Sequence, residues 1–181
     1  MNVLDIAENS VAADATLIEI SVSIQTAEQR LTLTVADNGR GISPEMLKTV
    51  TDPFTTTRTT RRVGLGLPLL KMAAEQTGGE LAIDSEPGRG TTVKAGFTLG
   101  HIDLMPLGDM ASTVTALVQC NPDIDFIFTA SADGESFTAD TRQMREVLSG
   151  DVAFSEPQIA LWLNGYLAEN TNQILKRSII L

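Results

Sequence analysis

Asp37 stands directly after a run of alternating apolar residues and ahead of two glycines spaced two apart, in the stretch DNGRGI. A carboxylate at the end of a strand can accept a hydrogen bond from an exocyclic amine. Gly39 and Gly41 leave the neighbouring backbone bare enough for a flat ring to approach, although a sharp turn calls for the same residue types. Upstream, Asp5 and Asn9 are four apart in a helical pattern and so project from one face, able to meet one ligand or simply to be solvated. Downstream, Gly64 and Gly66 in GLGL open a helical segment, where free N–H groups suit phosphate. Gly88-Arg89-Gly90-Thr91 forms a strand turn, which either places the Thr91 hydroxyl toward the same ligand or is an ordinary hairpin.

The elements that must position these groups can be read from periodicity. Leu4, Ala7 and Val11 mark a helix at the start of the chain, and TLIEISVSI and RLTLTVA alternate as an antiparallel strand pair. Ser43 and Pro44 cap and open a short helix. Residues 52–63 form a Thr- and Arg-rich loop without apolar period, and GLGLPLLKMAAEQ is a helix stopped by Gly78-Gly79. ELAIDS and TTVKAGFTL form a second strand pair around EPGRG. From His101 the texture changes: DMASTVTALVQC and DTRQMREVLSG read as helices, IDFIFTA as a strand, ADGES as a turn, and SEPQIALWLNGYLAENTNQIL as an amphipathic helix capped by Ser155. Two parts are expected, 1–100 and a C-terminal α/β extension over 101–181 that packs on the first. The fold class is an α/β (α+β) two-layer sandwich.

Of 181 residues, 13 are basic and 23 acidic, for a net charge of −10. Such a charge repels phosphate backbones and argues against nucleic acid as a general partner. The local exception is Arg58, Arg61, Arg62 and Lys71, a window able to hold a small anion or to form a solvated basic patch. No apolar run approaches the ~20 residues of a membrane span and no signal peptide is evident, so a cytoplasmic location with no membrane partner is expected. Cys120, the sole cysteine, ends an apolar helical pattern and is expected to be buried and inert.

Taken together, Asp5 and Asn9, then Asp-x-Gly-x-Gly, then Phe54 in DPFTTTR, then Gly-x-Gly opening a helix, then Gly-Thr, resemble the nucleotide-binding domain shared by histidine kinases, gyrase-type topoisomerases, Hsp90 and MutL. The resemblance covers residues 2–99 and is similar in segment lengths to bacterial histidine kinases and anti-sigma-factor kinases. It implies the Bergerat-type ATP-binding fold, a mixed, mainly antiparallel sheet covered by helices. It further implies that Asn9 ligates Mg²⁺ on the phosphates of ATP or ADP and that Asp37 accepts the adenine amino group. Gly39 and Gly41 would shape the adenine pocket, Phe54 anchor the lid, Gly64 and Gly66 line the phosphates, and Thr91 support the adenine end. Asp5 holds the position of the family's Glu, His, Asn or Asp, which orients a water or an acceptor hydroxyl.

Some positions depart from the family pattern. Ala12 stands where many members carry a Lys or Arg, which leaves phosphate charge to Mg²⁺ and to Arg58, Arg61 or Arg62. The short stretch ahead of Asn9 is expected to hold no phosphoacceptor hairpin, and the sole histidine, His101 in LGHIDLM, lacks the helical context and adjacent acid of an acceptor. The same stretch is expected to lack the family's strand and helix ahead of the Asn-bearing helix, so the extension is expected to cover the sheet edge, with IDFIFTA as an added strand. The resulting expectation is a Mg-dependent ATP-binding protein acting in trans, a protein kinase with a His or Ser acceptor on an unidentified partner protein. The alternative is an ATP-gated switch or anti-sigma-like regulator with little or no phosphotransfer. A homodimer is left open.

Overall fold

A computed structural model describes residues 3–51, 65–147 and 154–179. Its frame is a six-stranded sheet. Strand β1 (Leu17–Gln25) buries Ile18, Ile20, Val22 and Ile24 and turns Glu19 and Gln25 outward, while β2 (Arg30–Asp37) buries Leu31, Leu33 and Val35. This period of two gives each strand one core face. The two run antiparallel with Ile20 opposite Val35. Strand β4 (Gly90–Thr98) pairs antiparallel with β2, and β3 (Glu80–Glu86) with β4.

The C-terminal residues continue the same sheet. Strand β5 (Asp125–Ala132) adds parallel to β1, and β6 (Glu135–Asp140) returns antiparallel to it, giving the order β3-β4-β2-β1-β5-β6. The IDFIFTA segment therefore lies on the edge of β1, where the sequence placed an added strand. Strand β6 was not read from sequence; ESFTAD is short, polar and half exposed. Its hairpin turns on Asp133 and Gly134, both at positive φ, as a tight two-residue connection demands.

Helices cover the face to which Ile18, Ile20 and Val22 point. They are α1 (Val3–Ala12), α3 (Gly66–Gln76), α4 (Met110–Cys120) and α6 (Pro157–Ile179), with α2 (Pro44–Leu47) and α5 (Thr141–Val147) at the margins. Phe126 and Phe128 of β5 are each 1% exposed and share a core with Ile18 and Leu33. Burying each of these rings stabilises the fold by about 1.5–3 kcal/mol. The opposite face shows Glu19, Ser21, Ser23, Thr32 and Thr34, so the layers number two.

Three local expectations met different outcomes. Ser43 caps α2 by accepting from the Met46 N–H, with Pro44 as first helical residue. Helix α6 begins at Pro157, one residue later than a Ser155 cap would set it, and its first turn closes on the Glu156 carbonyl. Cys120 is exposed, not buried. The buried stripe of α4 runs through Val114, Leu117 and Val118, and Cys120, two residues past Val118, falls outside that phase. No helix among the described residues is long and apolar enough to cross a membrane.

Candidate functional site

At the C-terminal end of β2, three elements grip the Asp37 carboxylate. The Ser10 hydroxyl on α1 donates to Oδ2 at 2.6 Å, the Gly39 N–H to Oδ1 at 2.9 Å, and the Thr91 N–H on β4 to Oδ1 at 3.3 Å. All three donors are neutral, and among the described residues no cation pairs with this carboxylate. A carboxylate has about four acceptor positions. Three are taken, so Oδ2 is fixed in direction with one position left for an incoming donor.

The loop that follows is pressed between two neighbours. A Cβ on Gly39 would sit 2.6 Å from the Ala13 carbonyl oxygen, just past the end of α1. Gly41 has φ +70°, and a Cβ there would run into the Glu86 carbonyl on β3. Glycine at both positions is what lets the loop pass. The Arg40 N–H bonds the Ala13 carbonyl at 2.9 Å, and the Gly88 N–H bonds the Arg40 carbonyl at 2.8 Å, tying α1, this loop and the β3–β4 turn together. Asn38 is structural: its Oδ1 accepts from the Thr16 and Leu17 N–H groups, each at 2.9 Å, and so holds the start of β1.

Two hydroxyl residues were missed by sequence reading. Ser10 is 4% exposed and aligns Asp37 from the helix that also carries Asp5 and Asn9. Ser85 accepts from the Ile42 N–H at 2.8 Å, donates to the Gly90 carbonyl at 2.9 Å and shares a 2.8 Å bond with the Thr91 hydroxyl. It locks the DNGRGI loop to the turn bearing Thr91. A serine has no periodic signature, and these partners lie 27 and 43 residues away.

The residues expected on the phosphate side lie on α1 and at the start of α3. A Cβ on Gly66 would come 3.0 Å from the Asp5 Cβ, so the start of α3 abuts α1 at Asp5, one turn before Asn9. Among the described residues no side chain caps α3, and Pro68 brings no N–H to its first turn. The structure thus brings Asp5 to Gly66, with Asn9 one turn further along α1, and gathers Asp37, Gly39, Gly41 and Thr91 at the other end of that helix. Phe54, Arg58, Arg61, Arg62 and Gly64 lie outside the described residues. Lys71 pairs with Glu75 on α3 at 4.0 Å. His101 is beyond the far end of β4; Thr91 and Thr98 are seven residues apart on that strand, about 24 Å. An apolar cavity of about 530 Å³ lined by Ile24, Leu31, Leu99 and Leu107 also lies at that far end, away from Asp37.

Residues 2–102 match the family described as histidine kinase-, DNA gyrase B-, and HSP90-like ATPase. An NtrY-like sensor histidine kinase of Rickettsia bellii is 35% identical over 104 residues, covering 58% of this chain and 17% of the relative. Sporulation kinase D of Bacillus subtilis is 34% identical over 91 residues, covering 50% of this chain and 18% of the kinase. This chain therefore spans under a fifth of the length of these relatives. Among solved structures, the N-terminal domain of a DNA repair protein aligns with a TM-score of 0.52 at 16% identity, over 74% of this chain and 49% of that one, a likeness of fold alone. With the family model spanning more than half of its length, the chain belongs to the histidine kinase-, DNA gyrase B- and HSP90-like ATPases, and the matched residues are its ATP-binding domain.

Proposed function

We propose that the protein binds Mg-ATP in the cytoplasm and transfers the γ-phosphoryl group to a His or Ser on a partner protein. The observation that carries the nucleotide assignment is Asp37, held by three neutral donors with one acceptor position open. That geometry suits the exocyclic amine of adenine, and the bare backbone at Gly39 and Gly41 suits its ring. Thr91 supports the same end. The phosphates run toward Asn9, Gly66 and the uncapped start of α3, with Phe54, Arg58, Arg61, Arg62 and Gly64 assigned to the lid side by the family pattern.

A magnesium ion fits this donor set. The Asn9 carbonyl is a hard oxygen ligand, and Mg²⁺ takes few protein ligands when phosphates and waters supply the rest. Asn9 would hold the ion, whose contribution is to neutralise phosphate charge. Asp5, one turn away, is the candidate base that orients the acceptor hydroxyl or a water. Catalysis in such a site is mainly positioning and electrostatics. His101 is separated from Asp37 by the length of β4, which disfavours His101 itself as the acceptor.

Calorimetric titration with Mg-ATP and Mg-ADP, on the native protein and on Asp37→Asn and Asn9→Ala, tests the binding. Unchanged affinity in the Asp37 variant defeats the adenine assignment. Labelled ATP with the protein alone is expected to leave no stable label on His101; a label there defeats transfer in trans. One observation favours the second reading, an ATP-gated switch: α1, which bears Asn9, packs against α4 of the extension, so a nucleotide-dependent shift of α1 reaches the C-terminal elements directly.

A further inference from the structure

Charge is unevenly divided along this chain. Residues 101–181 contain 11 of its 23 acidic residues against four basic ones, a net of −7 out of −10. Two of those four, Arg142 and Arg145, are engaged with Asp140 and Asp125. The other two, Lys176 and Arg177, follow Leu175, at least ten residues beyond Gly165. Within this acidic region α6 turns apolar side chains outward. Leu161 is 76% exposed and Trp162 47%. Trp162 and Tyr166 stack at 5.4 Å with planes 8° apart, and Phe137 of β6 meets Tyr166 edge-on at 5.4 Å. The cluster is half uncovered and followed one turn later by the exposed Glu169.

Gly165 sits between Trp162 and Tyr166 in the middle of α6. A glycine there costs about 1 kcal/mol of helix stability relative to alanine. Among the described residues nothing lies within 4 Å of the place a Cβ would occupy, so no contact with them requires it. The notch opens to the outside.

We propose that the α6 face formed by Leu161, Trp162, Gly165 and Tyr166 is a docking surface for a basic, arginine-bearing segment of a partner protein. A guanidinium stacks on the indole and phenol rings, the exposed Glu169 carboxylate one turn on and the net negative charge of this half of the chain attract it, and the Gly165 notch receives the segment's chain. Charge decides against a second copy, which would bring −7 against −7, and against nucleic acid for the same reason. The inference deepens the partner element of the proposed function. It is measured without nucleotide, so its failure and that of ATP binding are separate results.

Trp162 is the sole tryptophan of the chain, and its emission reports this surface directly. Titration with a ten-residue peptide of alternating Arg and Leu is expected to shift that emission saturably, and a Glu-Leu peptide of equal length is expected to leave it unchanged. Tyr166→Ala should weaken the Arg-Leu peptide at least tenfold. Gly165→Ala should weaken it at least fivefold while raising the melting temperature of the free protein, a combination that a purely structural glycine does not produce. An absent shift, an equal response to the acidic peptide, or full binding by Gly165→Ala overturns the proposal. A dimer in sedimentation that hides Trp162 overturns it in favour of a second copy.

Discussion

Asp37 ends β2 and Asp140 ends β6, yet the two carboxylates are held in opposite ways. Arg142 covers Asp140 with three guanidinium bonds, at 2.6 Å and 3.2 Å to Oδ2 and 3.0 Å to Oδ1, and its backbone N–H adds a fourth at 2.9 Å. That arginine keeps the Asp140 carboxyl below the usual carboxylate range. Asp37 receives a hydroxyl and two backbone N–H groups, which orient it and leave its charge and one lone pair unspent. A carboxylate matched by its own chain's cation is a structural part. One oriented by neutral donors, beside a glycine-lined loop, keeps acceptor capacity that the described residues do not use.

The sharpest way to break this contrast is Asp37→Asn. A hydrogen bond to a charged group contributes about 1.5–3 kcal/mol, so ATP affinity should fall on the order of 10- to 150-fold in calorimetry. A loss below threefold would show that Asp37 is as structural as Asp140. Next in size, Gly41→Ala forces a left-handed φ on alanine and drives its Cβ into the Glu86 carbonyl. It should cost about 1–2 kcal/mol or more in urea unfolding and weaken nucleotide binding with it. Gly88→Ala also meets a positive φ but has nothing within 4 Å, so it should cost less and leave affinity unchanged.

The DNGRGI loop was legible because its geometry restricts residue type. A loop that threads between Ala13 and Glu86 admits only glycine at 39 and 41, and an oriented acceptor requires the acid at 37. Ser10 and Ser85 were illegible because a hydroxyl's role is set by what the fold brings to it. The β1–β2 pair followed from alternation and a short connection. The parallel addition of β5 to β1 joins Ile18 to Phe126 across more than a hundred residues, and no local pattern encodes that register. The β6 strand was lost because ESFTAD offers one large apolar residue, Phe137, where a half-buried strand normally shows two or three. Cys120 shows a different failure: the apolar run around it suggested burial, but burial follows helical phase, and the phase of Leu117 and Val118 already excluded it.

Smaller effects sharpen the structural half of the contrast. Asp140→Asn should leave ATP affinity within twofold of native while lowering stability at neutral pH. Because the folded-state carboxyl of Asp140 is depressed, its contribution is present above the unfolded value of about 3.9 and is lost as pH falls through the folded value. The native protein should therefore lose stability below about pH 4, and the Asn variant should show a flatter acid limb in thermal melts. Asp109 gives the smallest effect. It caps α4, accepting from the Ser112 N–H at 2.9 Å and the Ser112 hydroxyl at 2.7 Å, and those bonds lower its carboxyl likewise. Asp109→Ala should cost about 1 kcal/mol by urea unfolding at pH 7, with less lost as pH falls below the unfolded value of about 3.9, where the advantage of the charged cap declines. Since α4 packs on α1, ATP affinity in this variant discriminates further. Unchanged affinity would make α4 a passive cover, whereas a measurable loss would show that the helix bearing Asn9 depends on the extension for its position.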